Sequence, residues 1–298
     1  TGTLEFSPAP TLSDILKVTG ENKYTFNLDL RGFDTEDEVA AADTNAFNMN
    51  IKNITASDYI KNIRIVMPGG TCSGNPFMRV TSQDECPNGS TYESFVERLE
   101  ADRNAIIFNP DYLAFLRNFK VIRMMNLMEA SLKDLCFAPA ICPAEVSEWS
   151  HRAMLDDAVW GGNDGRTAPE DHKGVPIEVM VELANTLNRD IWVNMPHVAS
   201  VDYVKNYAQY VYANINPNLK VYIEYSNEVW NNGFAGHHYA TAKGIELGLD
   251  SVPVEFQGSN RDADYFARLR FYSQRAVEIF NIWESEFAGT NTDRKSTR

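Results

Sequence analysis

The chain has 298 residues, 44% of them hydrophobic and 23% charged, with a formal net charge of −14. That length holds one large domain or two modest ones with a full core, and the acidity argues against a nucleic-acid partner, since phosphate binding needs a basic surface. No stretch reaches the ~18 uncharged apolar residues of a membrane span, and the opening Thr1-Gly2-Thr3-Leu4-Glu5 has neither the basic nor the apolar region of a signal peptide, so the start reads as mature, trimmed or incomplete.

Residues 1–60 read as a small β-rich region. Lys23–Leu30 and Ala46–Ile54 alternate like strands around the acidic loop Asp34–Asp43, and only Leu12–Val18 has helix-like spacing. The acidic loop lacks the glycine and the regular oxygen spacing of a calcium loop.

From residue 61 onward the pattern becomes strand then helix, repeatedly, which is the signature of an α/β fold with a parallel sheet. Ile63–Met67 is a predicted strand that breaks at Pro68-Gly69-Gly70. A long loop, Thr71–Asn104, follows, with a short helix near Tyr92–Leu99. Asp111–Asn118 is a helix opened by Pro110, and Lys120–Asn126 is the second strand. The loop Leu127–Lys173 carries Trp149, Arg152 and Trp160. Val175–Leu187 is an amphipathic helix, Asp190–His197 the third strand, and Ser200–Asn214 a helix with Ser200 as its cap. Leu219–Glu228 is the fourth strand, and Asp262–Phe287 a long helix with apolar residues at helical spacing.

Four βα units are half of what a closed (β/α) barrel needs. The chain therefore reads as an incomplete TIM-type barrel, truncated at its C-terminus, over 61–298; a four-stranded parallel sheet complete by itself is the alternative. The four cysteines fall into two close pairs, Cys72 with Cys86 and Cys136 with Cys142. Pairing inside polar, Pro-bearing loops predicts two local disulfides in an exported protein. Neither pair has C-x-x-C spacing, so zinc is not expected. The adjacent His237-His238 diverge on any regular backbone and carry no metal reading either. Nucleotide-binding glycine motifs and the G-x-S-x-G elbow are absent, and nothing in the residues asks for a cofactor.

The fourth strand ends as Glu224-Tyr225-Ser226-Asn227-Glu228-Val229-Trp230-Asn231. Strand alternation puts Glu224, Ser226 and Glu228 on one face and Asn227 on the other. A carboxyl group at the C-terminal tip of a barrel strand stands where such folds keep their chemistry. With some desolvation it can protonate a leaving oxygen. Arg123 ends the second strand, and Asn194 and His197 end the third.

Together these strand ends resemble those of the clan A glycoside hydrolases, the cellulase-like barrel enzymes, over about residues 63–287. The resemblance implies a retaining glycosidase acting on a polysaccharide or oligosaccharide, secreted or periplasmic. It implies Glu228 as acid/base, Asn227 on the hydroxyl beside the anomeric carbon, Arg123 orienting the nucleophilic carboxylate, and His197 on the sugar, with Asn194 as a further polar contact. Trp230 offers a flat apolar face to a pyranose ring; Trp149, Trp160, Trp192 and Tyr225 are candidates on the same grounds. The clan's nucleophile is a second Glu at the end of a seventh strand. Glu246, Glu255, Glu278, Glu284 and Glu286 lie in loops or on the last helix, and none fits that place, so the chain alone is expected to be inactive. The rival readings are a non-catalytic carbohydrate-binding or surface protein and a doubly wound α/β protein binding a small ligand at its strand ends.

Overall fold

The computed structural model describes residues 66–130, 138–142, 147–157, 160 and 173–288, together with the backbone of 3–7, 11–18, 23–29 and 48–52. The chain divides into two compact units, Thr1–Val66 and Met67–Arg298.

In the first unit, β1 (Thr3–Ser7) pairs antiparallel with β4 (Asn48–Lys52), and β2 (Thr11–Val18) with β3 (Lys23–Asp29). The helix-like spacing of 12–18 thus belongs to a strand. Its register shifts between Ser13 and Leu16, and such a bulge breaks the period of two that a regular strand would show.

Residues 63–65 of the strand expected over Ile63–Met67 lie outside the described residues, and Val66 and Met67, where the first unit ends and the second begins, carry no strand. The long loop expected after it holds an antiparallel sheet instead. β5 (Gly70–Cys72) lies between β6 (Asn75–Val80) and β7 (Tyr92–Ser94). β5 can run this close to β7 because residue 70 is glycine: a Cβ there would meet the Glu93 carbonyl oxygen at 2.1 Å. A disulfide joins Cys72 to Cys86 with Cα atoms 5.6 Å apart. The other expected pair involves Cys136, which is outside the described residues. α1 (Phe95–Ala101) starts at once after β7, with the Ser94 hydroxyl accepting from the Glu97 amide.

A three-stranded parallel sheet follows, built from β8 (Val121–Arg123), β9 (Asp190–Met195) and β10 (Val221–Tyr225), with β9 in the middle. α2 (Pro110–Leu116) precedes it, and α3 (Ile177–Leu187) and α4 (Val201–Asn214) are its crossovers. After β10 come α5 (Ala235–Glu246) and α6 (Ala263–Glu286). α5 was not expected. Its sequence AGHHYATAKGIE contains two glycines and few large apolar residues, so its helical periodicity is weak. Gly244 is needed there, because a Cβ would lie 2.2 Å from the Ala267 carbonyl oxygen of α6. The predicted starts of α4 and α6 hold: Ser200 accepts from the Tyr203 amide at 3.1 Å, and Asp262 accepts from the Tyr265 amide at 2.9 Å.

The two faces of the parallel sheet differ. Ile122, Ile191, Val193, Val221, Ile223 and Tyr225 are buried in one cluster with Met180 and Ala184 of α3, Val204 and Tyr207 of α4, and Ile279 and Trp283 of α6. The alternate positions Arg123, Trp192, Tyr222 and Glu224 are half-buried or exposed. Among the described residues the parallel strands number three and no barrel is closed. No described helix is long and apolar enough to cross a membrane.

Candidate functional site at the strand ends

β8, β9 and β10 run parallel, so their carboxyl ends deliver Arg123, Asn194 and Glu224 to the same edge of the sheet. The Arg123 guanidinium donates through Nη2 to Glu224 Oε2 at 2.7 Å and to Asn227 Oδ1 at 2.8 Å. Its plane lies over the Trp192 ring, 5.0 Å from the centroid, an arrangement that suits Arg and not Lys. Asn194, fully buried at 0% exposure, donates to the same Glu224 Oε2 at 2.6 Å and to the Ser226 carbonyl at 2.9 Å. Its Oδ1 is buried with no hydrogen-bond partner among the described residues. The carboxylate of Glu224 is thus the hub, held by two donors, the Arg123 guanidinium and the buried Asn194 amide. Burial first, and then the Glu224 charge, push the Tyr272 hydroxyl upward in pKa.

The expected alternation through Glu228 is not what the backbone does. β10 ends at Tyr225, and Ser226 (φ 59°) and Glu228 (φ 42°) adopt the left-handed conformation. Two such residues re-aim the chain, so Asn227 joins Glu224 at Arg123 and is 2% exposed. Ser226 faces inward, donating its hydroxyl to the Ala130 carbonyl at 2.9 Å. Non-glycine residues in this region carry backbone strain of about 1–3 kcal/mol each and are concentrated at functional sites.

Glu228 itself is exposed. Its Oε2 accepts from Asn231 Nδ2 at 2.9 Å, and its backbone carbonyl accepts from the Asn231 amide at 2.7 Å. Trp230, at the top of the same turn, is 73% exposed. Val229 between them is buried and anchors the turn.

Two residues passed over for metal binding hold this turn from below. The Val229 carbonyl meets His237 Nδ1 at 3.0 Å, and the Asn232 carbonyl meets His238 Nε2 at 2.8 Å. Arg268 Nη1 donates to His237 Nε2 at 3.3 Å and to Thr241 Oγ1 at 3.2 Å. Because a carbonyl accepts and a guanidinium donates, His237 is neutral with its proton on Nδ1. Burial, then Arg268 and His238, lower its pKa. Gly236 beside it brings α5 close to the strand end: a Cβ there would stand 3.1 Å from Ser226 Oγ.

Of the residues expected at the site, Arg123, Asn194 and Asn227 come together, and Glu228 and Trp230 stand on the adjoining turn. His197 is 2% exposed and packs edge-on against Tyr239 with centroids 5.2 Å apart, so its ring lies beneath the strand ends and not at their surface. Tyr225 is buried and donates to the His197 carbonyl at 3.0 Å. Trp149 packs against Tyr203, and Trp160 donates to the Met154 carbonyl at 3.1 Å. Glu224, the hub, was not singled out from the sequence. The signal for it was the shared i, i+2 alternation of Tyr222-x-Glu224 and Trp192-x-Asn194, which marks one face of adjacent strands.

Comparison with protein-family models, with curated proteins and with solved structures finds no match.

Proposed function

We propose that the protein is a glycoside hydrolase that acts on a polysaccharide or oligosaccharide at the carboxyl ends of β8–β10, with Glu228 as its acid/base. The observation that carries this reading is the pairing of a fixed polar group with an available one. Asn227 is held by Arg123 and the Glu224 hub, and the exposed carboxyl of Glu228 follows directly in sequence. With its oxygen taken by Arg123, Asn227 has its amide nitrogen left to donate to a sugar hydroxyl beside the anomeric carbon. A carboxyl group on an adjoining turn, reachable by solvent and substrate, suits proton transfer to the leaving oxygen. Trp230 supplies the apolar face against which a pyranose ring stacks. The fold remains, in this reading, part of a TIM-type barrel whose half-open sheet face would point to the lumen.

The Cys72–Cys86 disulfide supports an oxidising compartment, secreted or periplasmic. A retaining mechanism needs a second carboxyl ~5 Å from the first. Glu224 is occupied by Arg123 and Asn194, so the attacking group would come from outside the described residues. That same engagement of Glu224 favours the second reading, glycan binding without hydrolysis.

The test compares Glu228→Gln with the unaltered residue in a version of the protein that also carries the nucleophile, on glycosides with poor and good leaving groups. Loss of roughly 10²–10⁴-fold in rate on poor leaving groups, with good ones largely spared, is the expected result. Equal rates on both would remove Glu228 from the chemistry. Binding of glycans by the unaltered protein with no hydrolysis would leave the binding reading in place.

A further inference from the structure

A hollow of about 460 Å³ lies beside the Trp230 turn. It is lined by Trp230 itself, by His237 of α5 and by Asp262, Asp264 and Arg268 at the start of α6. Arg268 has two sets of partners around this space. Its Nη1 donates to His237 Nε2 at 3.3 Å and to Thr241 Oγ1 at 3.2 Å. The carboxylates of Asp262 and Asp264 form the other set, and both act on its charge. Capping α6 takes Asp262 Oδ1, which accepts from the Tyr265 amide, and a carboxylate has a second oxygen to offer a guanidinium. A cation with alternative partners around an open space is the material of a two-state device.

His237 couples that choice to the site. Its Nδ1 meets the Val229 carbonyl at 3.0 Å, so the ring links Arg268 to the backbone that presents Glu228 and Trp230. The turn includes Glu228 in the left-handed conformation, at φ 42°, and such a residue stays there only where its surroundings hold it. A neutral imidazole has one donor and one acceptor. This one uses both, the donor on Val229 and the acceptor for Arg268. A second proton would go to Nε2, the atom that accepts from Arg268, and would leave two cations in contact. Burial opposes the charged ring most, then Arg268 from α6 and His238 on α5, whereas the backbone groups of Trp230 and Val229 favour it, and the balance holds the ring below the ordinary 6.5. Asp262 and Asp264, on the same hollow, are the carboxylates beside the pair.

We propose that His237 and Arg268 form a pH-sensitive latch on the turn that carries Glu228 and Trp230. With His237 neutral, the guanidinium backs the ring and the turn is held. When a proton from solvent binds Nε2, Arg268 swings towards Asp262 and Asp264, and the hollow gives it room. The ring keeps the Val229 carbonyl but loses the group that fixes its orientation, so ring and turn become mobile together. That the latch thereby gates proton transfer by Glu228 rests on the glycosidase reading above; the latch itself does not.

The test follows the fluorescence anisotropy of the whole chain between about pH 8 and 5. Trp230 is 73% exposed, and its share of the emission is obtained by subtracting Trp230→Phe measured alongside. The anisotropy of that share is expected to fall with pH, with a midpoint below the ordinary histidine value of 6.5. Quenching of the indole by a nearby cation would raise the anisotropy instead, so the sign separates motion from a local effect of charge. His237→Gln should abolish the fall, because its amide offers a donor and an acceptor that do not titrate. Arg268→Gln should be loose already at about pH 8, with little further fall, since the shorter side chain no longer backs the ring. A thermal melt at about pH 8 confirms that each variant is folded; where His237→Gln is not, Arg268→Gln decides. The latch is overturned by a flat trace in the unaltered protein, by a fall that survives in His237→Gln, or by Arg268→Gln behaving as the unaltered protein does. No glycan enters the measurement, so a flat trace strikes the latch and leaves the glycosidase reading to the Glu228→Gln test.

Discussion

At the end of β10, Glu224 and Asn227 are fixed between neighbouring strands, whereas Glu228 and Trp230 project from a turn held through its backbone carbonyls and the buried Val229 side chain. The first group uses its polar atoms on one another: Arg123 spans Glu224 and Asn227, and Asn194 closes the network from beneath. The second group is held by histidines that grip carbonyl oxygens and leave the side chains free. A carboxylate oxygen that already accepts from two donors positions others and has less left to offer a substrate. A carboxyl group with one amide partner can still exchange a proton. Placing the two within one turn of backbone lets rigidity and availability coexist, which is what preorganised chemistry needs.

The comparison can be broken from the turn side first. Gly244→Ala forces a methyl group into the Ala267 carbonyl of α6 and should cost about 3 kcal/mol by overpacking. Because α5 carries His237 and His238, Trp230 emission should change with it. Urea denaturation checks the energy, and a cost too small to measure would mean that α5 and α6 part easily. Next in size, a double-mutant cycle separates the two groups. Arg123→Ala and Asn227→Ala should show a coupling of about 1–2 kcal/mol, since each removes the other's partner. Arg123→Ala and Glu228→Gln should add to within about 0.5 kcal/mol. Coupling in the second pair as large as in the first would show one network in place of two.

A smaller effect comes from His237. Its neutral ring accepts from Arg268, and protonation would both remove that acceptor and set two cations face to face. Its folded pKa lies below the ordinary 6.5. The unfolded chain therefore takes up a proton at higher pH than the folded one, and stability falls as pH falls from about 6.5 through the folded value. Above about pH 6.5 the contribution is fully present. Denaturation midpoints measured between about pH 7.5 and 5 should fall in that window and be flatter in His237→Ala. An unchanged slope in the variant would refute the neutral-clamp assignment.

The parallel sheet was legible because its strands are apolar runs with polar tips, and three of four predicted strands lie where alternation put them. β8 and β10 are shorter than read, ending at Arg123 and Tyr225, although the Met124 and Ser226 amides still donate to the Trp192 and Met195 carbonyls of β9. The antiparallel sheet at residues 70–94 was not legible: Gly70, Gly74 and a three-residue strand leave no alternation to count. At the site, residue types at strand tips were readable, but their partners were not. The left-handed turns at Ser226 and Glu228 reverse the facing of Asn227, and no propensity marks serine or glutamate for that conformation. The role of His237-His238 was hidden for a related reason, because their targets are backbone carbonyls that every sequence shares.

The smallest expected effect is the sharpest statement of the difference between the two groups. Glu228→Gln keeps the shape of an exposed side chain that accepts from Asn231, so folding stability should change by less than about 0.5 kcal/mol. Glu224→Gln removes the anion between Arg123 and a buried amide, and should cost about 1–3 kcal/mol. Measured side by side in urea, the two substitutions change the same atoms on residues four apart. A large loss at 228 would mean that its carboxylate helps to hold the fold, and a group so used is poorly placed to give up a proton. A negligible loss at 228 beside a clear one at 224 is what a free acid next to a fixed scaffold requires.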